Sequence, residues 1–96
     1  MSEVRAVSVR ASFVIQNRLG LHARAAALFV QTVTTLDAEV FVTKDGETVN
    51  GKSIMGLMML AAGLGSSIEV EARGREAAEA LRAVGALIKD KFRESD

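Results

Sequence analysis

The sequence predicts an α+β layer: an antiparallel sheet with helices on one side. Three observations carry this. Apolar residues recur with a period of two in some segments and of about 3.6 in others, in the order strand, helix, strand, strand, helix, strand, helix. The strand segments have one polar face, so only one side of the sheet needs a cover. Lys44-Asp45-Gly46-Glu47 carries the Asp-Gly signal of a tight hairpin.

The elements follow in order. Val9, Ala11, Phe13 and Ile15 alternate with Arg10, Ser12, Val14 and Gln16, which reads as a half-buried strand. Asn17 to Gly20 reads as a loop. From Ala23 to about Thr34 the spacing is helical, with Ala26, Phe29, Val30 and Val33 on one face. Ala38, Val40 and Val42 return to a period of two, and Thr48-Val49-Asn50 is the returning arm of the hairpin. Ser53 caps a short helix through about Leu60, ended by the region of Gly63 and Gly65, with Leu57, Leu60 and Ala61 toward the core. Ile68, Val70 and Ala72 alternate with Glu69 and Glu71, and Gly74 breaks that strand. A last helix puts Ala77, Leu81, Val84 and Ile88 on one face and Glu76, Glu79, Arg82, Lys89 and Asp90 on the wet side. Gly85 inside it costs about 1 kcal/mol relative to alanine, so this helix depends on packing. The 96 residues suit one domain, read as 9–93, with residues 1–8 as an N-terminal extension and Glu94 to Asp96 as a loose end.

Composition excludes several chemistries. The absence of cysteine removes disulfides, thiolate catalysis and cysteine-ligated zinc. One histidine makes a histidine-rich metal site implausible, and neither a metal nor a cofactor is expected. Twelve basic residues balance twelve acidic ones, so no field of one sign points to nucleic acid, and the lack of Trp and Tyr removes the usual stacking platforms. The longest apolar run, Ile54 to Leu64, is too short to span a bilayer. Glu3, Arg5 and Arg10 interrupt the first apolar pieces, so no secretory signal is read and the cytoplasm is the expected compartment. Nothing resembles a Walker loop, which argues against autonomous ATP hydrolysis.

The chemistry concentrates in Gly20-Leu21-His22-Ala23-Arg24. The only histidine stands where a helix begins, two residues before an arginine. A neutral imidazole nitrogen can attack a phosphoryl group, and free N–H groups with a nearby guanidinium can hold the phosphate. Gly20 permits an unusual backbone angle, and Leu21 can anchor the loop in the core. A lone histidine is more often an ordinary polar side chain, and Arg24 could be a solvated helix arginine; their adjacency at a positive helix end favours function. Arg18 reads as a solvated loop arginine, Glu69 and Glu71 as an exposed strand face, and Asp45 as a turn residue.

Gly20-Leu21-His22-Ala23-Arg24 resembles the active-site signature of the HPr family, the histidine-containing phosphocarriers of the bacterial phosphoenolpyruvate-dependent phosphotransferase system. Asn50-Gly51-Lys52-Ser53-Ile54-Met55-Gly56-Leu57-Met58-Met59-Leu60 resembles the family's serine-site helix. The likeness runs from about Val9 over nearly the whole chain. It implies an open-faced β-sandwich, a four-stranded antiparallel sheet covered by three helices in the order βαββαβα. It implies that His22 takes a phosphoryl group from enzyme I on the ring nitrogen nearer the backbone. His22 then passes it to enzyme IIA in sugar uptake, with Arg24 stabilising the phosphate, a transferase-class activity. It implies regulatory phosphorylation of Ser53 by HPr kinase/phosphorylase. It also sets an apolar patch of Leu28, Ile54, Met55 and Met58 beside His22 as the partner-docking surface of a monomer. The family usually has proline after the arginine; here Ala25 stands in the first helical turn, where alanine keeps the helix. That departure keeps a nitrogen-regulatory branch of the family as the nearest alternative. A non-catalytic partner-binding domain is the alternative from another class.

Overall fold

The computed structural model describes residues 8–94; the proposed extension therefore lies outside the described residues except for Ser8. The elements are β1 (Ser8–Val14), α1 (Ala23–Thr34), β2 (Glu39–Lys44), β3 (Glu47–Asn50), α2 (Ile54–Met59), β4 (Ser67–Arg73) and α3 (Ala77–Lys89), followed by a short turn at Lys91–Arg93. The four strands form one antiparallel sheet in the order β1-β4-β2-β3. Strand β4 lies between β1 and β2, with Val70 opposite both Ala11 and Val42.

One face of the sheet is apolar and carries the helices. Val40, Val42, Ile68, Val70 and Ala72 are buried against Phe29 and Val33 of α1, Leu57 of α2, and Val84 and Ile88 of α3. The other face is open and polar. Arg10 lies 3.8 Å from both Glu69 and Glu71, and Arg73 bonds Glu71 at 3.1 Å while its guanidinium sits over the Phe41 ring. The Arg73 bond, with a second from Ser8, holds the Glu71 carboxyl below the usual glutamate range. Glu71 is thus largely covered by its neighbours, with only 18% of its side chain exposed, rather than freely solvated.

Local chemistry explains the details. Asp45 and Gly46 have φ of 51° and 82°, the left-handed pair of a two-residue hairpin turn between β2 and β3. Val9, Ala11 and Phe13 are only half-buried because β1 is an edge strand. Gly85 has a packing reason: a Cβ there would lie 3.1 Å from the Phe13 ring, so its absence lets α3 approach β1. In α3 the buried set is Ala77, Ala80, Val84, Leu87 and Ile88, and Leu81 is half-buried, which rotates the core face slightly from the expected one.

Four local expectations are corrected. Helix α2 runs to Met59 with Leu60 as its C-cap, as expected, but what ends it is Ala61, left-handed at φ 51° with its N–H on the Met58 carbonyl, and not the glycines. Ala61 is therefore exposed rather than in the core. Glu76 is not simply solvated: it stands at the N-cap of α3 and its carboxylate accepts the Asp37 N–H at 2.8 Å. Glu94, expected at the start of a loose end, is docked, its carboxylate accepting the Asn17 amide at 3.0 Å, while residues 95–96 lie outside the described residues. Lys91, Phe92 and Arg93 have φ of 55°, 51° and 58°, and Phe92 is buried. Left-handed backbone costs about 1–2 kcal/mol per non-glycine residue, so three in succession require strong tertiary anchors.

Candidate functional site

His22 is the N-cap residue of α1. Its backbone is extended (φ −76°, ψ 179°), its carbonyl accepts the Ala26 N–H at 2.8 Å, and its side chain makes no capping bond. The ring is thus free for chemistry, with 30% of its side chain exposed. The N–H groups of Ala23, Arg24 and Ala25 precede the first intrahelical bond and have no helical partner. No acidic residue occupies that first turn. The positive end of a twelve-residue helix, with no acidic residue of its own first turn, thus stands beside an imidazole, which suits a phosphoryl group. Ala25 is fully buried, so it anchors the first turn, and it retains an N–H donor that proline would lack.

The preceding loop fixes where the ring stands. Gly20 has φ 67°, and a Cβ there would lie 2.3 Å from the Ala62 carbonyl oxygen. This close approach lets the Leu21 N–H bond the same oxygen at 2.9 Å, with the Leu21 side chain in the core. The segment after α2 is thereby pinned beside His22. His22 and Met58 share an open hollow of about 290 Å³ with Leu19, Leu21 and Ala61 to Gly63.

Of the other expected site residues, only Met58 lines this hollow. Arg24 is on the first turn of α1, exposed and in no ion pair among the described residues. Ile54 and Met58 are each 40% exposed and Met55 71%. Leu28 is half-buried against the core and adds only an edge to that surface. Met59, Leu64 and Leu19 are also exposed, and Leu19 lines the hollow with Met58. Ser53 caps α2, its Oγ accepting the Gly56 N–H at 3.0 Å. It stands at the opposite end of α2 from the His22 hollow, about 9 Å along a six-residue helix.

One residue of the site was missed. Glu94, read as a loose end, reaches His22. Its Oε2 accepts the Asn17 Nδ2–H at 3.0 Å and lies 3.4 Å from His22 Nε2, and its Oε1 accepts the Leu19 N–H at 3.3 Å. Only 13% of its side chain is exposed. The Asn17 bond, then backbone bonds from Leu19 and Arg18 and the contact with His22, hold the carboxyl below the usual glutamate range against the opposing effect of burial. Asn17 is itself buried and also donates to the Gly20 carbonyl at 2.8 Å. Asn17 and Glu94 are 77 residues apart, so no local spacing links them.

A family profile described as "PTS HPr component phosphorylation site" matches residues 9–90. The chain belongs to the HPr family. The phosphocarrier protein HPr of Neisseria meningitidis is 52% identical over 88 residues, which cover 92% of this chain and 99% of that one. Among solved structures, an HPr from Thermoanaerobacter tengcongensis superposes with a TM-score of 0.87 at 42% identity, over 92% of this chain and 99% of that one. Crh from Bacillus subtilis, described as a domain-swapped dimer, superposes with a TM-score of 0.70 at 37% identity, over 95% and 97% of the two chains. The chain is thus similar throughout to HPr phosphocarriers of the phosphotransferase system, and their open-faced fold is the one found here. Among the described residues no helix is long and apolar enough to cross a membrane.

Proposed function

We propose that this HPr-family chain relays a phosphoryl group on His22, taking it from enzyme I charged by phosphoenolpyruvate and giving it to enzyme IIA in sugar uptake. The observation that carries the reading is the lone imidazole, free of any capping bond, at the N-terminus of α1, whose first turn holds no acidic residue. Positioning and charge stabilisation dominate phosphoryl transfer, and both are available here. The helix N–H groups and the Arg24 guanidinium meet the phosphate oxygens, and the exposed part of the ring is where a donor histidine approaches. Similar donor and acceptor nitrogens let the phosphate move either way without a deep trap. The exposed Ile54, Met55 and Met58, with Leu28 at their edge, form the docking surface for enzyme I and enzyme IIA, adaptable because methionine is flexible.

Ser53 is the regulatory acceptor in this reading, modified by HPr kinase/phosphorylase. A phosphate there would exchange the capping bond for charge at the edge of the docking surface and repel partners. The domain 9–93, tied to Glu94, acts as a monomer in the cytoplasm. Incubation with phosphoenolpyruvate and the cognate enzyme I tests the relay. The expected result is acid-labile phosphate on the protein and none on His22→Ala; label retained by that variant, or absent from the wild type, refutes it.

A further inference from the structure

We propose that the methionines of α2 form a reversible oxidation site, and that conversion of Met55, Met58 and Met59 to sulfoxides weakens docking on this face of the protein. The inference rests on the docking surface proposed above and adds how that surface is regulated. The chain has no cysteine, so no thiol competes as the oxidation target, and it has neither Trp nor Tyr. Thioether sulfur is therefore its most readily oxidised group. Three of its four methionines stand within five residues of one another, and the fourth, Met1, lies outside the described residues.

Accessibility sets the order of attack. Met55 and Met59 are 71% and 67% exposed, and Met58 40%. At about 100° per residue, Ile54, Met55, Met58 and Met59 share one side of α2, while Leu57 and Leu60 are buried on the other. The core contact of the helix is thus made by leucines, which peroxide leaves alone. The oxidisable atoms belong to the face and the stabilising ones to the core, so the surface changes character while the fold stays. Met58 also lines the hollow with His22, Leu19 and Leu21, so a sulfoxide there stands beside the imidazole.

The chemistry balances with a peroxide as oxidant. The thioether sulfur attacks one peroxide oxygen, the O–O bond breaks as the S–O bond forms, and the other oxygen leaves as water after proton transfer. The sulfur loses two electrons and the peroxide gains them. Return takes a dithiol reductant acting through a methionine sulfoxide reductase, which yields the thioether, a disulfide and water. What changes at the surface is polarity. A flexible apolar side chain gains a strong hydrogen-bond acceptor, which must be desolvated when the apolar surface of a partner covers it. Three of the four long apolar side chains on this side of α2 change together.

Hydrogen peroxide treatment of the folded protein, followed by peptide mass analysis, maps the sites. The expected result is an added oxygen at Met55 and Met59 first and at Met58 later; folded protein that resists at all three overturns the proposal. Calorimetric titration with enzyme I then compares the protein with itself before and after oxidation. Loss of interface anchors weakens binding by about fivefold or more. The fully oxidised protein should show that loss, keep its urea midpoint, and recover its affinity after treatment with methionine sulfoxide reductase and dithiothreitol. Weakening that comes with a collapse of the urea midpoint reports unfolding and overturns the proposal. A triple variant, Met55→Leu, Met58→Leu and Met59→Leu, whatever its own affinity, should not respond to peroxide; a response that persists there assigns the effect to another residue and also overturns it. Reduced Met58→Glu separates this inference from the docking reading on which it rests. If Met58→Glu loses affinity for enzyme I and the sulfoxides do not, only the oxidation proposal falls. If Met58→Glu binds as the wild type does, the docking surface itself is wrong and the proposal falls with it.

Discussion

Gly20→Ala should be the most damaging single-methyl change near the site. The φ of 67° places alanine in left-handed backbone, which costs about 1–2 kcal/mol. The added Cβ would lie 2.3 Å from the Ala62 oxygen and 2.8 Å from the Gly63 Cα. Both are backbone atoms, so no side-chain rotation relieves the clash, and overpacking of this kind adds about 1–3 kcal/mol. The sum is about 2–5 kcal/mol, a large share of the roughly 5–15 kcal/mol that stabilises a domain of this size. Gly46→Ala is the matched control. Its φ of 82° carries the same backbone penalty, but nothing lies within 4 Å of its Cβ, so it should cost only about 1–2 kcal/mol. Urea unfolding of the two variants, with equal slopes, isolates the steric part. Because the Leu21 N–H shares the Ala62 oxygen, Gly20→Ala should also displace His22 and slow phosphoryl acceptance by about tenfold or more. If Gly20→Ala costs no more than Gly46→Ala, the Ala62–Gly63 backbone yields freely, and the claim that it pins the site is wrong.

Arg24→Ala should slow phosphoryl transfer in both directions while changing stability by less than about 0.5 kcal/mol, as measured by rapid-quench transfer and urea unfolding, since the side chain is exposed. Ser53→Ala should cost about 1 kcal/mol in unfolding free energy through loss of the bond from the Gly56 N–H. Acid should release the tail. The Glu94 carboxyl is held below its ordinary value in the folded protein, chiefly by Asn17, so its contribution is fully present above the unfolded value of about 4.3 and is lost as pH falls through the folded one. The Asn17 side-chain amide resonance should shift over that acid range in the wild type and not in Glu94→Gln.

The fold was legible because its signals are local. The Asp45-Gly46 turn, the period-two runs at Ile68 to Ala72 and Val40 to Val42, and the helical spacing from Ala26 to Val33 each need only neighbours in sequence, and each lies where expected. His22 at the start of α1 and Ser53 at the start of α2 were legible for the same reason: caps are read from a few adjacent residues. The end of helix α2 near Leu60 was legible, but not that the left-handed turn closing it falls on Ala61 rather than on a glycine.

Sequence alone determined the order of elements, the polar face of the sheet, and the placing of the only histidine at a helix N-terminus. Those follow from side-chain periodicity and backbone preference, which act over a few residues. Tertiary structure alone decided that β4 lies between β1 and β2, that the Ala62 carbonyl receives Leu21, and that Glu94 meets Asn17 and His22. Such contacts join residues far apart in the chain. They depend on how the buried faces pack together, and no local pattern encodes them.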